Sequence, residues 1–482
     1  MDCIQQKPHA ILVCFPLQGH LNPAVQLAIK LASKGFTITF INTQSIHHQI
    51  TSNTQKDSDE DIFSDARKSG LDIHYTTVSD GLPLEFDRSL NHDQFMAAMF
   101  HVFSAHIDEA IQRLMESGPP VSCLIADSFL VQLGRVAKKH GLLYASFWTQ
   151  PATVFTIYYH LDLLRLNGHF DCIDRREDAI DYIPGVQSIE PKDLTSYLQE
   201  EQTNTICHQI TFKAIHDAKK ADFVLSNNIH ELELQAMTDL RKKVPFYAIG
   251  PLLEFTKCRV AVATSLWSKS DCTQWLDTKP TGSVLYISFG SYAHVTKNEL
   301  QEIADGVKLS QVTFVWVLRP DIVSSNDSDP LPKGFREETG DRGMIIPWCF
   351  QNQVLSHPAI GGFFTQCGWS SILESIWYAV PLMCFPLIAD QPTNRKLVVD
   401  WKIGINLCDK SQINKLEVSE KINILMKSGN HELKNIIKEL RRTMEHALSR
   451  EGSSERNMDQ FINDFHQAIQ KKTQIQSSNC IS

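Results

Sequence analysis

Three stretches of this sequence place reactive or ligand-binding residue types where a fold could use them. The first is Pro16-Leu17-Gln18-Gly19-His20-Leu21-Asn22-Pro23, which comes directly after an apolar run. Gly19 permits a tight turn, and Asn22 as N-cap with Pro23 behind it opens a helix from Ala24 to Ser33. His20 then stands at the carboxyl end of a strand, where ligands bind in open α/β sheets. An imidazole there can take a proton near neutral pH, or it can simply cap the turn. The second stretch is "SCLIADSF", an apolar strand ending in Asp127. Its carboxylate can accept an imidazole N–H and fix the tautomer, or it can N-cap a helix starting near Phe129. The third stretch runs from Trp348 to Gln391. Trp348 offers an aromatic face on which a planar base can stack. The run "GGFFTQCGW" reads as a strand entering a turn at Gly368, with a helix from about Ser370 or Ser371. The free amides of such a helix start suit a diphosphate. Ser371 and Glu374 have the spacing of a capping box. Asp390 and Gln391, just before Pro392, mark another helix start facing the same cleft.

The elements that must position these residues are short apolar runs alternating with helical patterns. The runs are Ala10 to Phe15, Thr37 to Ile41, Leu71 to Tyr75, Val121 to Ala126, Tyr144 to Phe147, Phe223 to Ser226 and Phe246 to Ile249. In the second half they are Ser283 to Phe289, Thr313 to Leu318, Met344 to Pro347, Gly361 to Phe364 and Leu382 to Phe385. Several are continuous rather than alternating, as parallel strands covered on both faces require. Helices fit Lys297 to Lys308, Ser371 to Trp377 and Asn394 to Val399, and the strand–helix rhythm predicts an α/β fold with doubly wound parallel sheets. Two such halves facing each other across a cleft form a natural small-molecule site. Ser52 to Ser69 and Ser324 to Pro332 read as polar loops. Glu432 to Lys472 is a long amphipathic pattern, broken at Gly452.

The totals exclude several function classes. The chain has 482 residues, 43% hydrophobic and 21% charged, with a net charge of −9. That charge argues against nucleic acid as a partner, because neutralising phosphates needs a basic face. No apolar run approaches the ~20 residues that cross a bilayer. The start of the chain reads as a buried strand, not a signal peptide. The twelve cysteines are scattered without a C-x-x-C pair, as free thiols of a reducing compartment would be, and the expected localisation is cytoplasmic. Metal-holding D-x-D strings occur at Asp57-Ser58-Asp59 and Asp327-Ser328-Asp329, but in polar loops with no preceding strand. They read as solvated charge, and no metal is expected.

With these residues in view, the chain resembles the plant secondary-product branch of the family 1 UDP-glycosyltransferases. The resemblance rests on the "GHLNP" turn, Asp127, the "SFGS" at Ser288 to Ser291, the Trp348 to Gln391 signature and the "GSSE" at Gly452 to Glu455. It implies two Rossmann-like domains of GT-B type. Residues 1–252 would bind the acceptor, 253–272 would link, and 273–450 would bind the UDP-sugar. Residues 451–482 would form a helix packing back on the first domain, then a tail. It implies sugar transfer with inversion onto a hydroxyl or carboxyl of a small metabolite, with UDP-glucose as donor and no further cofactor. His20 would be the base and Asp127 its orienting partner. Ser291, Trp348, Cys349, Gln351, Gln366, Gly368, Trp369, Ser370, Ser371, Glu374, Asp390 and Gln391 would line the donor site, with Glu374 on the ribose and Asp390 and Gln391 on the sugar. The terminal glutamine, and Trp369 in place of an arginine, resemble the glucose-preferring pattern.

Three signature positions depart from the family. Gln366 stands where a histidine contacts the diphosphate, Ser370 replaces an asparagine, and Phe350 replaces a proline. Gln366 still donates an amide N–H but cannot become cationic. The reading is an active enzyme with a weakened or retuned donor site. The alternative is an impaired relative that binds nucleotide sugar or metabolite without turnover. A nicotinamide-dependent oxidoreductase is discounted, because "PLQGHLNP" lacks the glycine-rich fingerprint. The apolar and aromatic segments near Phe129, Trp148 to Tyr159 and Asp80 to Phe86 would shape the acceptor pocket, but neither the acceptor nor the oligomeric state is written in these residues.

Overall fold

Side chains on a strand point alternately to its two faces, so a strand buried throughout must feed two cores. In the computed structural model, β1 (His9–Val13) does so: Ile11 and Val13 join one core while Ala10 and Leu12 join another. β8 (Val284–Ser288) repeats the arrangement, with Val284 and Tyr286 on one side and Leu285 and Ile287 on the other. The structure describes residues 7–53, 61–172, 175–254, 270–323, 329–408, 412–427 and 431–479.

The strands form two parallel sheets. The first comprises β1, β2 (Thr37–Thr43), β3 (Ile73–Val78), β4 (Cys123–Asp127), β5 (Leu143–Trp148), β6 (Phe223–Ser226) and β7 (Phe246–Ala248), in the order β3-β2-β1-β4-β5-β6-β7. The second comprises β8, β9 (Thr313–Val317), β10 (Gly343–Ile346), β11 (Ile360–Thr365), β12 (Leu382–Cys384) and β13 (Gly404–Asn406), in the order β10-β9-β8-β11-β12-β13. Each order reverses beside its first strand, and that switch point is where open α/β sheets hold ligands. The register there matters. Val13 pairs with Ala126 across β1 and β4, and Ser288 pairs with Thr365 across β8 and β11.

The helix Ser453–Asn479 returns to the first sheet. Its Met458, Phe461 and Phe465 are wholly buried in that core, with the Phe465 ring 5.4 Å from Phe36 and the Phe461 ring 5.3 Å from Phe223. Glu455 pairs with Lys30, and the Tyr247 hydroxyl donates to Asp464.

Several local expectations need correcting. The first helix spans Gln18–Ser33, so Asn22 is not its N-cap and Gly19 lies in its first turn. Leu17 holds the N-cap position without any capping side chain, which removed the usual signal. Pro23 sits inside the helix and cannot donate to the Gly19 carbonyl, which instead has the Ser370 hydroxyl at 3.4 Å. No helix starts at Phe129; the next one begins at Leu133. The helix expected from Ser370 or Ser371 begins at Trp369, which places Ser371 and Glu374 too deep for a capping box. Within the polar stretch at 52–69, Ser64–Lys68 is helical, and β13 was not foreseen. The 255–269 segment, Asp57-Ser58-Asp59, Asp327 and Ser328 lie outside the described residues. Asp329 pairs with Arg336 at 3.0 Å.

Candidate active site

Because β1 and β4 are neighbours at a switch point, the turn leaving β1 meets the residue that ends β4. His20, at the start of the first helix, and Asp127, at the tip of β4, are separated by 107 residues. Their Nδ1 and Oδ2 atoms are 2.7 Å apart. Asp127 is fully buried, while the His20 side chain keeps 17% of its surface open. The second carboxylate oxygen of Asp127 accepts the Phe129 N–H at 3.0 Å, so one group both holds its turn and orients the ring. A carboxylate facing Nδ1 fixes the proton there and leaves Nε2 with its lone pair. The Thr149 hydroxyl is 3.0 Å from the same Nδ1, and the Phe129 ring stands edge-on to His20 at 5.8 Å. Burial disfavours charge on the imidazole, but the charge and hydrogen bond of Asp127 outweigh it. Asp390 across the cleft adds to the effect, and the pKa lies above the ordinary 6.5.

The opposite wall comes from the carboxyl ends of the second sheet. A cleft with a cavity volume of about 260 Å³ is lined by His20 and by Ser291, Trp348, Cys349, Gln351, Gln366, Gly368, Trp369, Ser370, Ser371, Glu374, Asp390 and Gln391. All the expected site residues except buried Asp127 thus border one cavity. Trp348 packs on the core below while lining the cleft. Gly368 is the N-cap of the Trp369–Tyr378 helix, whose first amides need outside partners. Gln366 is buried between Gly290 and Gly368. A Cβ on Gly290, whose φ is +76°, would stand 2.2 Å from the Gln366 amide nitrogen. A side chain at 290 would strain the backbone and push the Gln366 amide aside.

Glu374 ends a buried chain of hydrogen bonds. The Tyr286 hydroxyl donates to the Gln351 side-chain oxygen at 3.2 Å. The Gln351 amide donates to Glu374 at 2.6 Å and to the Ser371 hydroxyl at 2.9 Å. Burial lifts the Glu374 carboxyl to about 7, against the Gln351 hydrogen bond and with help from Glu254. Burial likewise raises Asp390 to about 6, opposed by the Asn394 amide and by His20. Gln391 turns its oxygen onto the amides of Leu387 and Ile388, at 2.8 and 3.0 Å. Its NH2 remains to act as donor. The Trp369 indole N–H reaches across to the Asn227 carbonyl at 2.9 Å, tying the two halves together.

Sequence reasoning missed Tyr286 and Arg319. Arg319, just past β9, is 1% exposed and donates to the Gly290 carbonyl, to the Ala293 carbonyl at 2.8 Å and to Asp321 at 2.8 Å. It therefore shapes the loop that carries Ser291. The one available signal was a charged residue directly after an apolar strand. Of the segments expected at the acceptor end, Phe129 and Thr149 flank His20. Asp80 is instead buried in an ion pair with Arg88 at 2.7 Å. Among the described residues, His92, Asp93 and Cys207 are close enough to share a metal ion, and none of them lines the cleft. No helix among the described residues is long and apolar enough to cross a membrane.

Residues 266–441 match the family described as "UDP-glucoronosyl and UDP-glucosyl transferase", and residues 9–122 match "Glycosyltransferase, N-terminal domain". UDP-glycosyltransferase 86A1 of Arabidopsis thaliana is 54% identical over 475 residues, covering 97% of this chain and 96% of that protein. Os79 from O. sativa, solved in complex with UDP, superimposes with a TM-score of 0.80 at 26% identity, over 95% of this chain and 100% of that one. Phytolacca americana UGT2, complexed with UDP-2fluoro-glucose and pterostilbene, does so at 0.75 and 25% identity, over 94% and 98%. With two facing doubly wound sheets and near full-length relatives, the chain belongs to the plant family 1 UDP-glycosyltransferases, which move a sugar from a UDP-sugar to small-molecule acceptors.

Proposed function

We propose that this enzyme transfers glucose from UDP-glucose, with inversion at the anomeric carbon, to a hydroxyl or carboxyl of a small specialised metabolite in the cytoplasm. The observation that carries the reading is the 2.7 Å His20–Asp127 pair, set across one cleft from the 348–391 segment. Residues 1–252 would hold the acceptor and 273–450 the donor. Nε2 of His20 takes the proton of a hydroxyl acceptor as its oxygen attacks C1 from the far side, whereas a carboxyl acceptor is already ionised and attacks directly. The C1–O bond to the β-phosphate breaks, and UDP leaves with the electron pair. Amides at the Trp369 helix start and Gln366 receive the charge of the departing diphosphate. Trp348 stacks on the uracil, Glu374 takes the ribose hydroxyls, and Asp390 and Gln391 take those of the sugar.

The test is UDP release from UDP-glucose, in EDTA, over a panel of phenols, terpenoid alcohols and carboxylic acids. The anomeric configuration of each product is then read by NMR. The expected product is the β-glucoside. Donor binding without UDP release from any acceptor would instead support the impaired relative, and an α-product would remove inversion.

The donor wall carries two further expectations. Gln366→His restores a cationic donor beside the diphosphate, and kcat/KM for UDP-glucose should rise about five- to thirtyfold, corresponding to ~1–2 kcal/mol. An unchanged or lower value would show that Gln366 is adapted to its neighbours Gly290 and Gly368. Ribose hydroxyls donate, so they favour the ionised form of Glu374. Donor affinity should therefore fall as pH drops through about 7. At pH 6, binding should release ~1 proton, seen as a buffer-dependent heat by calorimetry. Heats independent of the buffer would take Glu374 off the ribose.

A further inference from the structure

The turn that carries Asp390 and Gln391 is not held by its own half alone. Ala389 has φ +57°, a left-handed conformation that costs a non-glycine residue energy and persists only where neighbours impose it. The neighbours here come from the first half. The Ser196 N–H donates to the Ala389 carbonyl at 2.8 Å, and the Ala389 N–H donates to the Ser196 hydroxyl at 2.8 Å. One turn further on, the Thr393 hydroxyl donates to the Asp193 carbonyl at 2.7 Å. Arg395 donates to the Asp193 carboxylate at 2.5 Å and to the Lys192 carbonyl at 3.3 Å. Asp193 and Arg395 are both nearly excluded from water, with side chains 4% and 9% exposed. The other Asp193 oxygen accepts the Glu190 N–H at 3.0 Å and fixes the Pro191–Asp193 turn. The segment is anchored behind by Thr195, whose hydroxyl lies 2.6 Å from that of buried Tyr158.

We propose that residues 191–196 form a strut from the acceptor half that sets the position of the sugar-contacting turn, making Asp193, Ser196 and Arg395 positioning residues for donor-sugar selection. The strut rests on the proposed contact of Asp390 and Gln391 with the sugar. Residues that face the nucleotide, Trp348 and Glu374, are outside the strut's contacts. Loosening the strut therefore blurs discrimination at the sugar hydroxyls and leaves the UDP moiety held as before. A contact that merely adds stability would lower the melting temperature and leave the choice of sugar alone.

The experiment compares Arg395→Gln, Ser196→Ala and Ser196→Thr in the full chain. It reads kcat/KM for UDP-glucose and for its C4 epimer UDP-galactose, together with the Kd of UDP. Displacing reacting groups by a fraction of an ångström to an ångström is costly, so kcat/KM for UDP-glucose should fall about tenfold in Arg395→Gln. The glucose-to-galactose ratio should narrow about three- to tenfold in both Arg395→Gln and Ser196→Ala, with the UDP Kd within about twofold of the parent. Ser196→Thr, which keeps the hydroxyl, should retain the parental ratio. If Arg395→Gln does not fold, Ser196→Ala decides by the same ratio. Gln391→Ala is the reference arm. A changed ratio there, with the parental ratio in the strut variants, overturns the strut alone. An unchanged ratio in Gln391→Ala removes the sugar-contact reading and the strut with it.

Discussion

His20→Ala is expected to lower kcat for glucosyl transfer by about 10³-fold, the middle of the range for removing a positioned general base. The Kd for UDP should stay within about twofold, because in the proposed arrangement the imidazole acts on the acceptor and the nucleotide is held by the opposite wall. Single-turnover assays with a nucleophilic acceptor and calorimetric UDP titration measure the two quantities separately. A variant that keeps more than a tenth of parental kcat would show that another group removes the proton. The expectation is strong because the ring is already set for the task. Its Nδ1 is tied to Asp127 at 2.7 Å, and the side chain is open to the cleft only in part.

Asp127→Asn is expected to cost about 10²–10⁴-fold in kcat/KM, because an asparagine can donate its NH2 to Nδ1 and lock the wrong tautomer, as in other carboxylate–histidine pairs. The pH profile gives a second readout. The base works when neutral, so rate rises with pH through the His20 pKa. In the parent, burial pulls that pKa down and Asp127 lifts it above 6.5. Without the carboxylate the downward pull of burial is opposed only by the weaker charge of Asp390, and the acid limb should move to lower pH while the plateau falls. A limb that stays in place would mean that His20 is not the group being titrated. The same pair has a stability signature. A histidine whose pKa is raised on folding contributes stability that is fully present below about 6.5 and is lost as pH rises through the higher folded value. Thermal melts of parent and variant should therefore converge toward alkaline pH.

The β-rich runs predicted the doubly wound class because parallel strands, covered on both faces, must be continuously apolar. His20 after β1 and Asp127 ending β4 stood out because a polar side chain at the carboxyl end of an apolar strand is unusual there, whereas the candidates on the opposite wall, Glu374 among them, were picked out by the family resemblance. What the chain does not write locally is strand order. The His20–Asp127 contact depends on β1 lying beside β4 with Val13 opposite Ala126, a relation that no spacing within either segment encodes. Boundaries failed where a strong local cue competed with an absent one. Asn22-Pro23 imitates a helix start, whereas the true start at Gln18 comes after Leu17, which has no side chain to cap it. β13 has three residues, too few for any periodicity to register. Tyr286 and Arg319 escaped because a single polar group in or beside an apolar strand has many uses, and only its partners reveal which one applies.

The return of the Ser453–Asn479 helix to the first sheet has a consequence for how the molecule is made. Met458, Phe461 and Phe465 are interior residues of the half that is synthesised first, yet they leave the ribosome only after the second half has been made. Until they arrive, apolar surface around Phe36 and Phe223 lacks its cover, so the early half reaches its final stability only once that helix has emerged. The two halves are distinct around their sheets but not along the chain, and a cut between them leaves the leading piece without its own closing helix.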